Sequence, residues 1–241
     1  MSFQNIFKRY EIKYLITKEQ KELVKELMRQ YMQGDKYGRS TICNVYFDTP
    51  DYLLIRRSLD KPEYKEKLRV RSYGIAKPDS DVFVELKKKY DSVVYKRRIS
   101  MTEDEAMRYT CNREKVTDSQ ISKEIDYCFK LYNELQPKVF LSYEREAFYS
   151  KTDYDFRVTF DENILWRDYD LSLCKGVYGT HVMDSNLVIM EVKIAGAMPL
   201  WFTEILSKNR IYKTSFSKYG NAYIQILNRK KNEKGEFDYV G

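Results

Sequence analysis

The sequence predicts an α+β fold in which an antiparallel sheet of about eight strands closes into a β-barrel with a polar, cationic lumen and helices packed outside. Three observations lead to this prediction. Extended segments carry charged side chains at alternate positions, amphipathic helices separate these segments, and the 241-residue chain has a net charge of +7 from 43 basic and 36 acidic residues. Such an excess of positive charge favours an anionic partner.

The parity of the charges in the extended segments is the main observation, because alternate residues of a strand face opposite sides of a sheet. The same alternation of charged and apolar faces occurs in residues 8–16, 64–73, 81–89, 156–161 and 187–194. One segment aligns four cations on one face, namely Lys65, Lys67, Arg69 and Arg71. Residues 139–148 follow the rule less cleanly, since Ser142, Glu144 and Glu146 make their second face polar.

A half-exposed antiparallel sheet is the simpler alternative, because the solvent face of such a sheet is ordinarily polar. Two observations favour the barrel. The amphipathic helices need an apolar sheet face to cover, and the charged faces carry more Lys and Arg than Asp and Glu. If helices cover the apolar side, the charged sides of a closed sheet converge on an interior.

The helices are predicted from caps and from apolar residues at helical spacing. Capping boxes begin helices at Thr17 and Thr102, each with Gln or Glu three residues later. A third helix is predicted within residues 121–135, Pro199 suits the first turn of a fourth, and a fifth begins near Ser215. No linker divides the chain, so residues 1–230 are predicted to form a single domain and 231–241 a polar C-terminal tail.

Composition and motifs exclude several classes of function. The cysteines are dispersed and His181 is the one histidine, which leaves no clustered zinc ligands. No P-loop, dinucleotide-binding or catalytic-triad pattern occurs. The sequence shows neither a signal-peptide pattern nor 18 consecutive apolar residues, so we expect a cytoplasmic protein. Most of the 22 tyrosines fall at apolar-face positions or on helix stripes, which makes nucleic-acid binding a weaker alternative.

Nine short motifs occur in a fixed order along nearly the whole chain. They are R-x-E-x-K-Y (9–14), Y-F-D (46–48) followed by Tyr52 and Arg56-Arg57, L-R-V-R-S-Y (68–73), V-E-L-K (84–87), K-R-R (96–98), Y-x-R (143–145), R-V-T-F-D (157–161), M-E-V-K (190–193) and S-F-S-K-Y (215–219). With this set the sequence resembles the polyphosphate polymerase domain of the vacuolar transporter chaperone (VTC) family, within the triphosphate tunnel metalloenzymes of the CYTH-like superfamily. Each motif alone is weak, but nine in order are specific.

The resemblance implies an antiparallel barrel whose tunnel binds triphosphate and a divalent metal. It implies catalytic phosphate ligands at Lys13, Arg69, Arg71, Lys87 and Arg145. It further implies substrate-binding residues at Arg56, Lys96, Arg98, Tyr143, Arg157, Lys193, Ser217 and Lys218. One arginine of the pair at 56 and 57 should match a family ligand; the spacing does not say which, and we take Arg56. Relatives carry a lysine two residues before the serine that matches Ser217, where this chain has Ser215.

The metal prediction has two sources. The resemblance implies that Glu191 holds the metal. Carboxylates near bound phosphates would repel them unless a cation lay between, so Glu11 and Glu85 are either further ligands of Mn²⁺ or Mg²⁺ or salt-bridge partners of the lumen bases.

The function expected from these observations is metal-dependent transfer of the terminal phosphoryl group of ATP to a phosphate or polyphosphate chain. Such transfer requires positioning and charge neutralisation rather than a covalent nucleophile. The alternatives are hydrolysis of inorganic or nucleoside triphosphate, and non-catalytic binding of polyphosphate or nucleotide by a sensor. In the family, synthesis is often coupled to a membrane partner, which here would have to be a separate protein.

Crowded like charges lead to a first prediction. The empty cavity is electrostatically strained, so triphosphate with metal at about 100 times its Kd should stabilise the fold by about 2.7 kcal/mol. For a chain of this size the melting temperature should rise by about 5–10 °C in differential scanning fluorimetry. An unchanged melting temperature with saturating triphosphate and metal would reject the cavity.

Overall fold

One antiparallel sheet and six helices make up the part of the chain that the structure, a computed structural model, describes: residues 10–91, 93–153 and 155–233. The strands are β1 (Tyr10–Thr17), β2 (Met32–Gly34), β3 (Ser40–Asp48), β4 (Tyr64–Tyr73), β5 (Asp81–Tyr90), β6 (Val93–Thr102), β7 (Gln136–Ser150), β8 (Arg157–Arg167), β9 (Thr180–His181), β10 (Leu187–Ile194) and β11 (Lys213–Thr214). The helices are α1 (Lys18–Met28), α2 (Leu53–Leu59), α3 (Glu103–Asn112), α4 (Gln120–Leu131), α5 (Leu200–Lys208) and α6 (Lys218–Glu233).

The sheet is not closed, so the prediction of a closed barrel is wrong. Its strand order is β11-β1-β10-β8-β7-β3-β4-β5-β6, with β2 paired to β7 and β9 to β8. Side chains nevertheless connect strands near the two edges of the sheet: Lys87 of β5 donates a hydrogen bond to Glu11 Oε2 of β1 over 2.8 Å. The sheet therefore curls until its ends face each other without joining through the backbone.

The segment before α6 crosses from one end of the sheet towards the other. Strand β11 has two residues, and α6 begins four residues after it. Just before α6, the Ser217 hydroxyl accepts a hydrogen bond from Lys67 Nζ of β4 over 3.2 Å. The segment that follows β11 therefore contacts β4, in the half of the sheet opposite to β1 and β11.

The prediction that helices pack outside is confirmed for four helices. α3 and α4 cover the apolar faces of β3, β4 and β5, burying Ala106, Tyr109, Ile125 and Phe129. α1 and α5 cover β1, β8 and β10, burying Val24, Met28, Phe202 and Leu206. The helical capping boxes at Thr17 and Thr102 are both formed. This outer apolar surface is what a polar interior requires.

α6 is the exception, because it packs on the same face as the charged side chains. Its residues Tyr219, Ala222, Tyr223 and Ile226 are buried with sheet residues such as Tyr46, whose register partner across the β3–β4 ladder is the charged Arg69. The Tyr46 and Tyr219 rings stack with centroids 4.7 Å apart. Part of the interior is therefore apolar and filled by a helix.

The mixed parity of β7 also has a structural reason. Glu146, on the outer face of β7, lies 2.5 Å from Lys21 Nζ of α1, and Glu162 of β8 lies 3.2 Å from the same nitrogen. An ion-pair cluster beneath α1 thus replaces apolar packing, and a register shift between Ser142 and Glu144 interrupts the alternation.

The C-terminal segment is helical further than the sequence indicates. α6 extends to Glu233, so the first three residues of the predicted tail are helix, and residues 234–241 lie outside the described part of the chain. Within the described residues, none of the helices combines the length and apolar character needed to cross a membrane.

Asp48 joins α2 and α6 to the sheet and supplies a prediction about stability. Its carboxylate accepts from the N–H groups of Leu54 and Ile55 at 2.8 and 3.0 Å and from the Tyr219 hydroxyl at 3.0 Å. Asp48→Ala leaves these buried donors unsatisfied and should lower the free energy of unfolding by about 3 kcal/mol or more in urea titrations. Asp51→Ala, at an exposed carboxylate in the same loop, is the control. A change below about 0.5 kcal/mol for Asp48→Ala would contradict this role.

Candidate functional site

Charged side chains gather on the concave face of the curled sheet, here called the inner face and defined by Lys13, Arg69, Glu85, Arg145 and Glu191. Register places these residues on one side. Lys13 pairs with Glu191 between β1 and β10, and Arg69 pairs with Glu85 between β4 and β5. The alternation found in the sequence therefore becomes one shared surface.

Glu85 binds the first group of cations. Arg69 Nε and Nη2 donate to Glu85 Oε2 at 2.8 and 2.7 Å, and its Nη1 donates to the Tyr46 hydroxyl at 2.9 Å. Lys96 Nζ lies 2.5 Å from Glu85 Oε1, and Arg71 Nε lies 3.9 Å from Oε2. Burial by itself raises the pKa of Glu85, but the charges of Arg69, Arg71 and Lys96 outweigh it and lower the pKa to about 2.

Asp161 binds the second group. Arg145 Nε and Nη2 donate to its two carboxylate oxygens at 2.6 and 2.7 Å, and Lys218 Nζ donates to Oδ2 at 2.5 Å. Tyr143 lies beside them and accepts from Arg71 Nη2 at 3.0 Å. Burial raises the pKa of Tyr143, yet the positive charges of Arg71, Arg145 and Lys218 lower it overall. Its hydroxyl is therefore in a strongly positive environment.

Glu191 and Glu11 form the third group on β10 and β1. Glu191 Oε1 lies 3.4 Å from Lys193 Nζ, and Glu11 Oε2 lies 2.8 Å from Lys87 Nζ. Burial raises the pKa of Glu191, but Lys193, Lys13 and Lys218 hold it well below its ordinary value. Burial and the Glu191 charge raise the pKa of Glu11, but the charges of Lys87 and Lys193 outweigh them and lower it overall. The opposing effect of Glu191 shows that the two carboxylates interact.

The residues around the start of α6 form the fourth group. The Phe216 carbonyl accepts from Lys13 Nζ at 2.8 Å, and the Ser217 hydroxyl accepts from Lys67 Nζ at 3.2 Å and from the Gly220 N–H at 3.1 Å. The lysine that contacts Ser217 thus comes from β4 rather than from position 215.

Cations outnumber carboxylates on the inner face. The four groups just described contain four carboxylates, Glu11, Glu85, Asp161 and Glu191, and nine cations, Lys13, Lys67, Arg69, Arg71, Lys87, Lys96, Arg145, Lys193 and Lys218. Several of them are nearly inaccessible to solvent, such as Arg71 at 6% and Asp161 at 0% exposure. The arrangement suits a multiply charged anion, because arginine forks bind phosphate oxygens in pairs and lysines add point charges.

The donor set fits a divalent metal at Glu191 and Glu11. Within the described ranges no cluster of three or more His, Cys, Asp or Glu residues is placed to hold a metal. Mg²⁺ is commonly bound by one or two carboxylates together with phosphate oxygens of the substrate, which matches this pair. Thr159, opposite Glu191 in the β8–β10 register, has a buried hydroxyl without a hydrogen-bond partner in the described part of the chain. Glu85 and Glu11 both form the salt bridges that the sequence left as their alternative, Glu85 with Arg69 and Lys96 and Glu11 with Lys87, and a metal-binding role for either stays a prediction.

Three predicted substrate-binding residues are exposed, although two of them, Arg98 and Arg157, lie on the inner face opposite Glu85 and Lys193 in the strand register. Arg56 pairs with Asp51, Arg157 donates to Asp35 Oδ2 at 3.0 Å, and the Arg98 guanidinium lies 4.4 Å from the centre of the Phe83 ring. Their roles stay predictions. Arg56, on α2, is the exception: the other predicted residues all occur on the inner face or at the start of α6.

The sequence analysis assigned no role to Asp161 or Lys67, although the strand parity of both residues matches that of predicted site residues. Asp161 has the same parity as Arg157 within the R-V-T-F-D motif, and Lys67 has the same parity as Arg69 and Arg71. Parity was enough to place them on the inner face; their partners on other elements could not be read from the chain.

Comparison with known proteins identifies the family. The VTC domain model matches residues 8–227. No curated protein sequence matches the chain. A solved structure of a candidate adenylate cyclase from Bacillus halodurans is similar in fold, with 14% identity over 87% of this chain and 95% of that one and a TM-score of 0.53.

Two further solved structures are more distant. A candidate adenylate cyclase from Vibrio parahaemolyticus has 11% identity over 91% of this chain and 99% of its own, with a TM-score of 0.48. The Mimivirus capping enzyme triphosphatase has 7% identity over 83% and 87%, with a TM-score of 0.33. At such identities the Bacillus structure supports the fold alone.

The Glu85 charge should stabilise the fold in a pH-dependent way. Because its folded pKa of about 2 lies below the ordinary value of 4.5, its contribution is full above pH 4.5 and is lost as the pH falls towards 2. Glu85→Gln should therefore reduce the free energy of unfolding by on the order of 3 kcal/mol at pH 7 and by much less at pH 3, in urea titrations.

Glu103→Gln is the matched control, because burial raises the pKa of Glu103. The stability of the wild type relative to Glu103→Gln should therefore fall as the pH rises through 4.5. The stability of the wild type relative to Glu85→Gln should instead rise over that range. A Glu85→Gln effect independent of pH would contradict the ion-pair assignment.

Proposed function

This chain belongs to the VTC domain family of the triphosphate tunnel superfamily, and from that premise we propose that it is a metal-dependent polyphosphate polymerase. In the proposed reaction an oxygen of phosphate or of a growing polyphosphate chain attacks the terminal phosphorus of ATP. The bond between that phosphorus and the bridging oxygen breaks, the chain gains one phosphate, and ADP leaves.

The observation that carries this proposal is the excess of cations over carboxylates on the inner face. Holding many like charges in a site with little water is unfavourable unless an anion compensates them. A triphosphate carries about four negative charges, which is close to the imbalance among the groups around Glu85, Asp161 and Glu191.

The arginines and lysines have different tasks in this proposal. Arg69, Arg71 and Arg145 would orient the phosphate chain through paired hydrogen bonds, since their guanidinium groups are already fixed by Glu85, Asn44 and Asp161. Lysines such as Lys13, Lys87 and Lys218 would neutralise the charge that develops on the transferred group. No covalent intermediate is needed, because phosphoryl transfer depends mainly on position and electrostatics.

A divalent ion would be held by Glu191 and Glu11 together with substrate oxygens. When bound, Mn²⁺ or Mg²⁺ would supply charge stabilisation to the phosphoryl oxygens. Interaction with a separate membrane protein stays a prediction.

Product analysis separates synthesis from hydrolysis, which the same inner face would also support if water took the place of the phosphate acceptor. Purified protein with ATP and Mn²⁺ should form acid-labile chains longer than three phosphates, detected by gel electrophoresis, with ADP released in matching amounts. Orthophosphate and ADP without longer chains would identify a triphosphatase. Nucleotide binding without ADP release would identify a sensor.

Glu191→Gln tests the metal assignment. Removing the carboxylate charge should lower turnover by at least about 100-fold, while tripolyphosphate affinity measured without metal should be retained or increased because a negative charge is lost. Glu26→Gln, at an exposed carboxylate of α1 that pairs with Arg29, is the control and should leave both quantities unchanged. Turnover within about threefold of the wild type in Glu191→Gln would overturn the role of Glu191.

A further inference from the structure

Lys67 has no carboxylate partner within ion-pair distance among the described residues. Lys13 has none either, but it faces Glu191 across the β1–β10 ladder, whereas Lys67 faces another lysine, Lys87. Arg69 and Lys96 pair with Glu85, Arg145 and Lys218 with Asp161, and Lys193 with Glu191. Lys67 Nζ instead donates to the neutral Ser217 hydroxyl at 3.2 Å. No carboxylate of the described residues therefore offsets its charge directly.

The groups that face Lys67 are themselves positive. Lys87 lies directly opposite on β5, Lys65 and Arg69 flank it on the same face of β4, and Lys13 approaches from β1. The first turn of α6 follows Ser217, and the N-terminus of a helix favours negative charge. Everything that faces this nitrogen favours an anion.

We propose that Lys67 is a phosphate-binding residue, which binds a phosphoryl group of the substrate together with Lys13, Lys87 and the Ser217 hydroxyl. This inference rests on the proposed function and adds to it a residue that no motif assignment includes. Lys67 Nζ and Ser217 Oγ lie 3.2 Å apart, so one phosphate oxygen beside them can accept hydrogen bonds from both groups. Lys67 would contact substrate directly rather than hold another residue in place.

A purely structural lysine would be expected to stabilise the empty protein. Here the repulsion from Lys13, Lys87 and Lys65 should do the reverse, because bringing like charges together in a partly desolvated site is unfavourable. The two roles therefore predict opposite effects of removing the charge on the melting temperature of the unliganded chain.

Lys67→Met keeps most of the length of the unbranched side chain and removes its charge. We expect tripolyphosphate, titrated calorimetrically into the full chain at pH 7, to bind about 10–100-fold more weakly to this variant, as for loss of a charge-assisted hydrogen bond. The unliganded variant should melt at the same temperature as the wild type or higher. Lys208→Met, at an exposed lysine that pairs only with Glu204 among the described residues, should match the wild type in both measurements.

The outcomes separate this inference from the proposed function. Equal affinity of Lys67→Met and wild type would overturn the inference, and so would a lower melting temperature of the unliganded variant. A wild type that binds tripolyphosphate but forms no polyphosphate would refute the polymerase while leaving the binding comparison valid. A wild type that binds no tripolyphosphate would overturn both.

The pH dependence of binding gives a second, independent readout. Burial first, and then the charges of Lys13, Lys87, Lys65 and Arg69, lower the pKa of Lys67 to about 7. A bound phosphoryl group raises that pKa, so binding above pH 7 takes up a proton and weakens as the pH rises.

Lys67→Arg isolates this effect, because arginine keeps its charge throughout the range. We expect the affinity for tripolyphosphate to fall between pH 7 and pH 9 in both proteins. The fold-decrease should be about ten times larger for the wild type than for Lys67→Arg. The other titrating lysines, such as Lys96, are common to both proteins and cancel in the comparison. Parallel pH profiles would contradict direct binding by Lys67.

Discussion

Repulsion among cations on a partly desolvated sheet face is the constraint on which the rest of this structure depends. Four carboxylates reduce it without cancelling it, and two of them are shared: Glu85 among Arg69, Arg71 and Lys96, and Asp161 between Arg145 and Lys218. These carboxylates fix the orientation of the guanidinium groups before any ligand arrives. The protein therefore holds its anion-binding groups in place at the expense of stability, as preorganised sites commonly do.

The outer surface of the sheet makes this interior tolerable. α1 and α5 on one side and α3 and α4 on the other bury the apolar residues of the same strands whose alternate residues carry the charges. α6 packs inside instead, where Tyr219 stacks on Tyr46 and donates to Asp48. This position brings Ser217 and Lys218 to the charged groups, so the helix both fills the apolar part of the interior and completes the polar part.

Strand parity accounts for most of what could be predicted about the site. The two-residue period of a strand places Lys13, Arg69, Arg71, Lys87 and Glu191 on the charged faces of their strands. Because helices cover the apolar faces, the charged faces must lie together on the other side of the sheet. The same rule could not decide between a metal ligand and a salt bridge for Glu85, because that depends on which side chain lies opposite across a ladder. Nor could it show that Arg56, on the short helix α2, pairs with Asp51 rather than with the inner face.

The sequence by itself determined the antiparallel strands, their charged and apolar faces, the capped helices and membership of the family, because these properties are local or lie in ordered motifs. Tertiary structure alone decided that the sheet stays open, that α6 enters the interior, and that Lys67 of β4 contacts Ser217, 150 residues along the chain. Such contacts join positions far apart in sequence, and no periodicity encodes the distance between them.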